Sequence, residues 1–447
     1  MHKAAIYTLG CKVNQYESEA LAGLFRNEGY EVVDFKDYAD VYVVNTCTVT
    51  HLGDRKSRQM IRRAVKTNPD AVVAVTGCYA QTAPGEVLER PGVDIVVGTR
   101  DRSRLPELVK EARRSRVPIN AVADIMHAAE FEELPILDYE SRTRAFIKIQ
   151  EGCSNFCTYC IVPYARGPLR SRPEERVIAE AEHFIREGFK EIVLAGIHTG
   201  AYGIDRDEGR SLASLVAKVA SLPGLQRLRL SSIEPVDITF DLIDVIADNP
   251  VICRHLHIPL QSGDDTILKK MNRHYTTFDF SRLVSTVRDR IPGVAVTTDI
   301  MVGFPGETDV FFENSCRFAE AMEFSRMHVF KYSPRRGTPA AEFPGQVEPV
   351  KKEERSSRLI KLGEKMSRKF AGRFLNTTME VLVEQRHSKR SKFYEGLTDN
   401  YLRVLLPGNE GMRGQFVPVK LEKFKGEYLV GNLNNLVSAG DIKQEFR

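Results

Sequence analysis

Within ten residues, Glu151 to Cys160, the chain places three cysteines, Cys153, Cys157 and Cys160, separated by three residues and then two. Thiolates are soft ligands that suit iron–sulfur clusters and zinc. Three ligands on one short loop leave a four-coordinate metal, or a cubane cluster, one protein ligand short. Structural metal sites close their coordination sphere, whereas catalytic ones keep a position open for substrate. The loop must therefore sit at a cavity, or form a zinc site completed from elsewhere in the chain. Zinc motifs usually pair two Cys-x2-Cys knuckles, and the sequence holds no second knuckle.

At 447 residues the chain is too long for one ordinary core, so two or three domains are expected. Its 42% hydrophobic and 28% charged residues give the balance of a soluble globular protein. No apolar run approaches the roughly 18 residues that cross a bilayer. The stretch from Met1 to Ile6 lacks the apolar region of a signal peptide. The expected location is the cytoplasm, with no membrane partner. In that reducing compartment the eight cysteines read as ligands or nucleophiles rather than disulfides. A net charge of +4 permits a polyanionic partner without demanding one.

Residues 1–125 read as a first domain, with strands expected at 4–9, 41–45, 71–76 and 93–97 and helices at 15–27 and 54–66. This alternation implies a parallel sheet with helices on both faces. Cys11 follows the first strand, Cys47 the second and Cys78 the third. In a parallel sheet all three lie at the carboxyl edge, where such folds bind ligands. Three thiols distant in sequence thus converge, either as inert core cysteines or as a second triad that is again one ligand short. Gly10 and Gly77 let the backbone bend tightly beside a bulky cofactor.

Residues 127–139 read as a connector. Residues 140–372 resume the alternation, with strands expected at 145–149, 191–195, 227–231, 255–259, 294–300 and 327–332 and helices between them, such as 173–187 and 277–290. Six units predict an open partial barrel rather than a complete eight-unit one. The cysteine loop begins just after the first of these strands, at the barrel end that carries catalytic groups. Polar residues with Gly or Pro follow the other strands: Gly196, Glu234, Gln261, Asp299 with Gly303, and Arg335. Arg166, Arg170 and Arg273 are candidate partners for phosphate or carboxylate. His255 and His257 alternate on a strand and read as structural, and Cys253 and Cys316 as free thiols.

A basic amphipathic helix, 349–370, leads to residues 373–442, where strands expected at 378–385, 401–406 and 415–424 are punctuated by glycines. Such a pattern predicts a small antiparallel β-barrel, so the fold class is α/β with this barrel appended. Lys389, Arg390, Lys392 and Tyr394 mix cations with an aromatic ring, which suits phosphate neutralisation and base stacking or a solvated hairpin. Lys56, Arg58, Arg62 and Arg63 are either RNA phosphate contacts or a solvated helix face.

The Cys-x3-Cys-x2-Cys loop, with Tyr159 before its last cysteine, resembles the cluster loop of radical S-adenosylmethionine (SAM) enzymes. Preceded by Cys11, Cys47 and Cys78, it resembles the methylthiotransferase family, whose members carry two 4Fe-4S clusters. Asn45-Thr46-Cys47-Thr48-Val49-Thr50 and Asp54-Arg55-Lys56-Ser57-Arg58 resemble the branch acting on threonylcarbamoyladenosine in tRNA. Glu395-Gly396-Leu397-Thr398-Asp399-Asn400-Tyr401 resembles the RNA-binding TRAM domain. The resemblance implies one cluster on Cys153, Cys157 and Cys160 and another on Cys11, Cys47 and Cys78. It implies SAM contacts from Gly196, Glu234, Gln261, Asp299 and Gly303. It also implies substrate or RNA contacts from Arg166, Arg170, Arg273, Arg335, Lys389, Arg390, Lys392 and Tyr394. The implied reaction cleaves SAM reductively to a 5′-deoxyadenosyl radical that activates C2 of the adenine at position 37. Sulfur then comes by way of the second cluster, and methyl from a second SAM. The partners implied are the tRNA anticodon arm, a low-potential electron donor and a sulfur source. Methylthiolation of isopentenyladenosine or of a ribosomal-protein aspartate, and non-catalytic zinc-dependent RNA binding, remain the alternatives.

Overall fold

The computed structural model describes residues 1–134, 136, 143–206, 211–388 and 391–433. The first six strands, β1 (Lys3–Thr8), β2 (Glu31–Val33), β3 (Val41–Thr46), β4 (Val72–Gly77), β5 (Ile95–Val96) and β6 (Ile119–Asn120), form one sheet in the order β2-β1-β3-β4-β5-β6. Every pairing in it is parallel. β3 and β4 are buried along their whole length, as strands covered on both faces must be. Helix α1 (Lys12–Asn27) packs Leu21 and Phe25 on one face. Helix α2 (His51–Thr67) packs Ile61 and Ala64 on the other. β2 and β6, which the sequence pattern did not reveal, are edge strands too short to show a period.

The next strands are β7 (Arg144–Glu151), β8 (Arg170–Ser171), β9 (Glu191–Gly196), β10 (Arg227–Leu230), β11 (His255–His257), β12 (Ala295–Val302) and β13 (Arg326–Lys331). They form the sheets β10-β9-β7-β8 and β11-β12-β13, joined by parallel bridges from Leu228 to Ile252 and from Ser232 to His257. β8 is a short antiparallel return against β7. The other six strands follow in chain order as the open barrel that the spacing predicts. Ile147, Ile149, Leu194, Leu230, Leu256, Val296 and Ile300 face the surrounding helices in one core. The residues alternating with them face the lumen. Helix α1 belongs to both units: Leu21 and Phe25 sit in the first core, Tyr16 and Ala20 in the barrel core.

The helix Pro349–Gly372 leads to β14 (Thr378–Arg386), β15 (Phe393–Leu397), β16 (Arg403–Pro407), β17 (Phe416–Lys425) and β18 (Tyr428–Leu433). These close into a barrel, β14-β15-β16-β18-β17, antiparallel except for the β16–β18 pair. The sequence pattern revealed three of the five strands, because Gly396 and Gly431 read as turn residues. They lie inside β15 and β18, where a Cβ would come within 2.5 Å of the Leu382 carbonyl oxygen and 2.2 Å of Val419 Cγ1. A small barrel brings strands too close for side chains there.

Residues 398–401 of this barrel wedge into the base of the large one. Arg229 donates to the Asp399 and Thr398 carbonyl oxygens at 2.9 and 3.1 Å. Arg254 pairs with the Asp399 carboxylate at 2.6 Å. The Tyr401 ring stacks on His255 at 4.5 Å and lies under the Arg229 guanidinium at 4.6 Å. Tyr401 holds a φ of +68°, an uncommon conformation for an aromatic residue, which the contacts around it must offset. Among the described residues no helix is long and apolar enough to cross a membrane. Tyr401→Ala removes both ring contacts and should weaken the docking of the small barrel by about 2–4 kcal/mol. Limited proteolysis near residues 373–377 should then release it faster than from the wild type.

Candidate active site

Cys11, Cys47 and Cys78 stand just past β1, β3 and β4, which are neighbours in the sheet. The positions converge: a Cβ at Gly10 would lie 3.1 Å from Cys47 Cβ, and Cys78 senses the charges of both Cys47 and Cys11. Gly77 holds a φ of +94°, and a Cβ there would meet Asn45 Oδ1 and the Thr46 carbonyl oxygen at 2.5 Å. Only glycine turns the chain from β4 into Cys78 at that approach. Burial pushes the Cys78 thiol up to about 12 and raises that of Cys47.

Cys153, Cys157 and Cys160 occupy the loop after β7, at the barrel's carboxyl end. Burial raises Cys157 and Cys160 as well. Thiols so placed stay protonated unless a metal takes the charge. All eight cysteines are free, and each triad has a cation against one sulfur. Arg166 Nε donates to Cys78 Sγ at 3.3 Å, and Arg273 Nη1 to Cys157 Sγ at 3.4 Å. His198 Nδ1 lies 3.8 Å from Cys153 Sγ. Burial disfavours charge on His198, but its 2.6 Å contact with Asp237 and the Cys153 sulfur push its pKa up to about 10. Two sets of three soft donors, each backed by a positive group, suit electron-rich iron–sulfur clusters.

The triads share a wall. The Arg166 side chain reaches Cys78, while the neighbouring Gly167 carbonyl accepts from the Cys153 amide at 3.1 Å. Arg166 is fully buried and donates to Glu17 at 2.5 Å, Glu151 at 3.0 Å and Asn14 at 2.7 Å. Asn14 in turn accepts from Cys11 Sγ at 3.4 Å. Lys148 joins Glu151 at 2.8 Å and Glu17 at 3.4 Å, and Arg102 joins Glu17 at 2.6 Å. Glu17 loses hydration by burial, yet the charges of Arg102 and Arg166 hold its carboxyl well below the usual range. Gln150 completes the wall. It accepts from the His198 amide at 2.6 Å and donates to the Glu151 and Gly152 carbonyls at 2.6 and 2.8 Å.

Comparison with known proteins bears on this site. Residues 3–98 match the model described as Uncharacterized protein family UPF0004, and residues 147–319 match the Radical SAM superfamily. The chain is 47% identical to the threonylcarbamoyladenosine tRNA methylthiotransferase MtaB of Bacillus subtilis (strain 168), over 98% of this chain and 97% of that one. The chain belongs to the radical SAM methylthiotransferase family. It is also 38% identical to the tRNA-2-methylthio-N(6)-dimethylallyladenosine synthase of Fusobacterium nucleatum, over 97% of this chain and 100% of that one. Among solved structures it is similar to TsrM of Kitasatospora setae, a radical S-adenosylmethionine methyltransferase, with TM-score 0.58 at 18% identity. That match covers 76% of this chain and 77% of TsrM and concerns the fold alone.

In this methylthiotransferase several expected RNA contacts lie inside the protein. Arg166 serves the network above. Arg170 is buried, its guanidinium on the Pro168 and Arg166 carbonyls. Arg335 is buried on Asp54 Oδ2 and Thr48 Oγ1, both at 2.6 Å, and so ties the Cys47 loop to the last barrel loop. Arg273 pairs with Glu234 beside Cys157. Tyr394 is fully buried in the small barrel, its hydroxyl 3.0 Å from Glu410. Each of these side chains is spent on protein rather than facing RNA. Lys392 is exposed, and Lys389 and Arg390 lie outside the described residues. On α2, Lys56, Arg62 and Arg63 are exposed, and Arg58 is half-buried, 3.9 Å from Glu86.

Of the expected SAM contacts, Gly196 backs onto Gln150, and Gln261 holds a φ of +64° beside Asp299. The Gly303 amide donates to Glu307 at 2.7 Å. Asp299 lies 3.3 Å from both His257 and His328, which hold it down to about 2 despite its burial. His257 thus belongs to a polar lumen cluster. His255 keeps a structural place, on Thr297 at 3.0 Å and under Tyr401. Glu17, Asn14, Lys148, Gln150, Glu151 and His198 were not singled out by sequence, because their significance comes from partners remote in the chain.

Arg166→Met leaves Arg102 and Lys148 as the remaining cations for the buried Glu17 and Glu151 carboxylates, one positive charge short, and should destabilise the metal-free protein by about 3 kcal/mol. Thermal unfolding checks this, and adding Glu17→Gln should recover part of the loss. Because Glu17 is held below its ordinary range, its contribution is complete above about pH 4.3 and falls as acid titrates it.

Proposed function

We propose that this enzyme replaces the C2 hydrogen of N6-threonylcarbamoyladenosine, at position 37 beside the anticodon of tRNA, with a methylthio group. The observation that carries the reading is the Arg166-Gly167 pair, which contacts Cys78 with its side chain and Cys153 with its backbone. Two open-cornered ligand sets around one wall suit a reaction that needs a radical at one and sulfur at the other. The 47% identity with a relative named for threonylcarbamoyladenosine supports the substrate.

Cys153, Cys157 and Cys160 would hold the cluster that binds SAM, and Cys11, Cys47 and Cys78 a second 4Fe-4S cluster. When bound, these groups supply the one-electron chemistry that a C–H bond on an aromatic ring requires and no acid–base residue provides. The chain's own residues position and insulate. Arg166, Arg273 and His198 place positive charge at the sulfurs, which favours reduction. Glu234, Gly196, Gln261, Asp299 and Gly303, at the barrel mouth and upper lumen, are the groups proposed to hold SAM. The exposed Lys56, Arg62, Arg63 and Lys392 would neutralise phosphates of the anticodon arm. A low-potential electron donor and a sulfur source complete the cycle in the cytoplasm, where the tRNA resides.

Mass spectrometry of tRNA nucleosides tests the reading. A deletion strain should lose the methylthio derivative of threonylcarbamoyladenosine and regain it with the wild-type gene, but not with Cys47→Ala. Persistence of that nucleoside, with no second enzyme to make it, overturns the substrate. Anaerobic reconstitution should give about eight irons per chain and about four after replacing Cys11, Cys47 and Cys78 by Ala. That variant should still form 5′-deoxyadenosine from SAM but make no methylthio product.

A further inference from the structure

β11, β12 and β13 are neighbours in one parallel sheet. The register sets His257 of β11 beside Thr297 of β12, and Asp299 of β12 beside His328 of β13. Residues two apart on a strand share a face, so His257, Asp299 and His328 turn toward the lumen together. Met327 and Val329, which alternate with His328, pack on the core instead. Asp299 Oδ1 lies 3.3 Å from His257 Nε2 and 3.3 Å from His328 Nδ1. One donor atom from each of the three residues falls within 4.8 Å of the others. Ligands about 2.0–2.1 Å from a tetrahedral zinc ion stand about 3.3 Å from one another. Both oxygen–nitrogen separations already have that spacing.

Two further features favour a metal over an ordinary ion pair. Two imidazole nitrogens and a carboxylate oxygen turned on one point are three electron-pair donors, unless each ring carries a proton into the gap. A single divalent cation satisfies all three at once. His257 is also held from behind: its Nδ1 lies 2.9 Å from Thr297 Oγ1, so Nε2 is the atom presented to the site. A hydrogen bond at the far nitrogen is the usual support of a metal-ligating imidazole. His328 gives an ion its way in, because its ring is half-exposed on the last strand of the sheet. We propose that His257, Asp299 and His328 bind one divalent transition-metal ion, zinc(II) for preference, apart from both cysteine triads. Three protein ligands leave the fourth position of a tetrahedral ion open, where an oxygen donor such as water or a carboxylate completes it. Both contacts of Asp299 use Oδ1, so Oδ2 is left for the SAM role proposed above.

The test uses the full chain, reconstituted anaerobically so that iron occupies the cysteines, with zinc(II) alone as the probe. After equilibrium dialysis against micromolar zinc, the wild type should retain about one zinc per chain and keep its about eight irons. His328→Ala and His257→Ala should each lower the retained zinc roughly tenfold or more with iron unchanged. X-ray absorption at the zinc edge of the wild type needs no variant. It should show nitrogen and oxygen ligands at about 2.0–2.1 Å and no sulfur at about 2.3 Å. A wild type that retains no zinc overturns the site, as does His328→Ala retaining as much as the wild type. Zinc gained only as iron is lost, or a sulfur ligand at the zinc edge, places the ion on the cysteines and also overturns it.

Discussion

The guanidinium of Arg166 is the point on which this molecule is assembled. It sits without solvent contact between the first sheet and the barrel and binds Glu17 from one and Glu151 from the other. Arg102 and Lys148 complete the charge balance around the two carboxylates. Burying so many charges adds little net stability, because desolvation offsets most of the Coulombic attraction. What such a network gives is geometry: each group satisfies its partners in one arrangement and strands a charge in any other. Since Glu151 precedes the Cys153 loop and Arg166 touches Cys78, that one arrangement fixes the two thiol triads against each other.

The same logic recurs farther out. Arg335 binds Asp54 and Thr48, so the Cys47 loop is held from the barrel side as well. Helix α1 contributes to two cores with different turns of its length. Hydrophobic packing brings the units together, and directional charge contacts choose the register. At the sulfurs themselves positive groups recur a third time, as Arg166, Arg273 and His198. There they favour electron-rich ligands rather than an interface.

The strands and the thiols were readable in the sequence for a physical reason. A parallel strand covered on both faces needs an uninterrupted apolar run, and a thiol presented at the sheet's carboxyl edge needs a cysteine just past that run. β3 with Cys47 and β4 with Cys78 show both. The arginines were not readable. A sequence shows that Arg166 is cationic and near a cysteine loop, but its decisive partner Glu17 lies 149 residues away. Arg335 and Asp54 are 281 residues apart. A guanidinium that faces water and one that closes an interface look alike in a string of letters. Tyr394 misled for the same reason, since a basic neighbourhood suggests exposure and only the barrel's closure buries the ring. Gly396 and Gly431 misled in the opposite direction, because crowding between strands selects glycine as strongly as a turn does.

The wedge of residues 398–401 beneath the barrel has a mechanical implication. The small barrel is bolted to the floor of the large one by Arg229, Arg254 and the Tyr401 ring rather than hung from a tether. Any ligand long enough to touch both barrels therefore meets two surfaces whose separation is set by these contacts and not by the length of a linker.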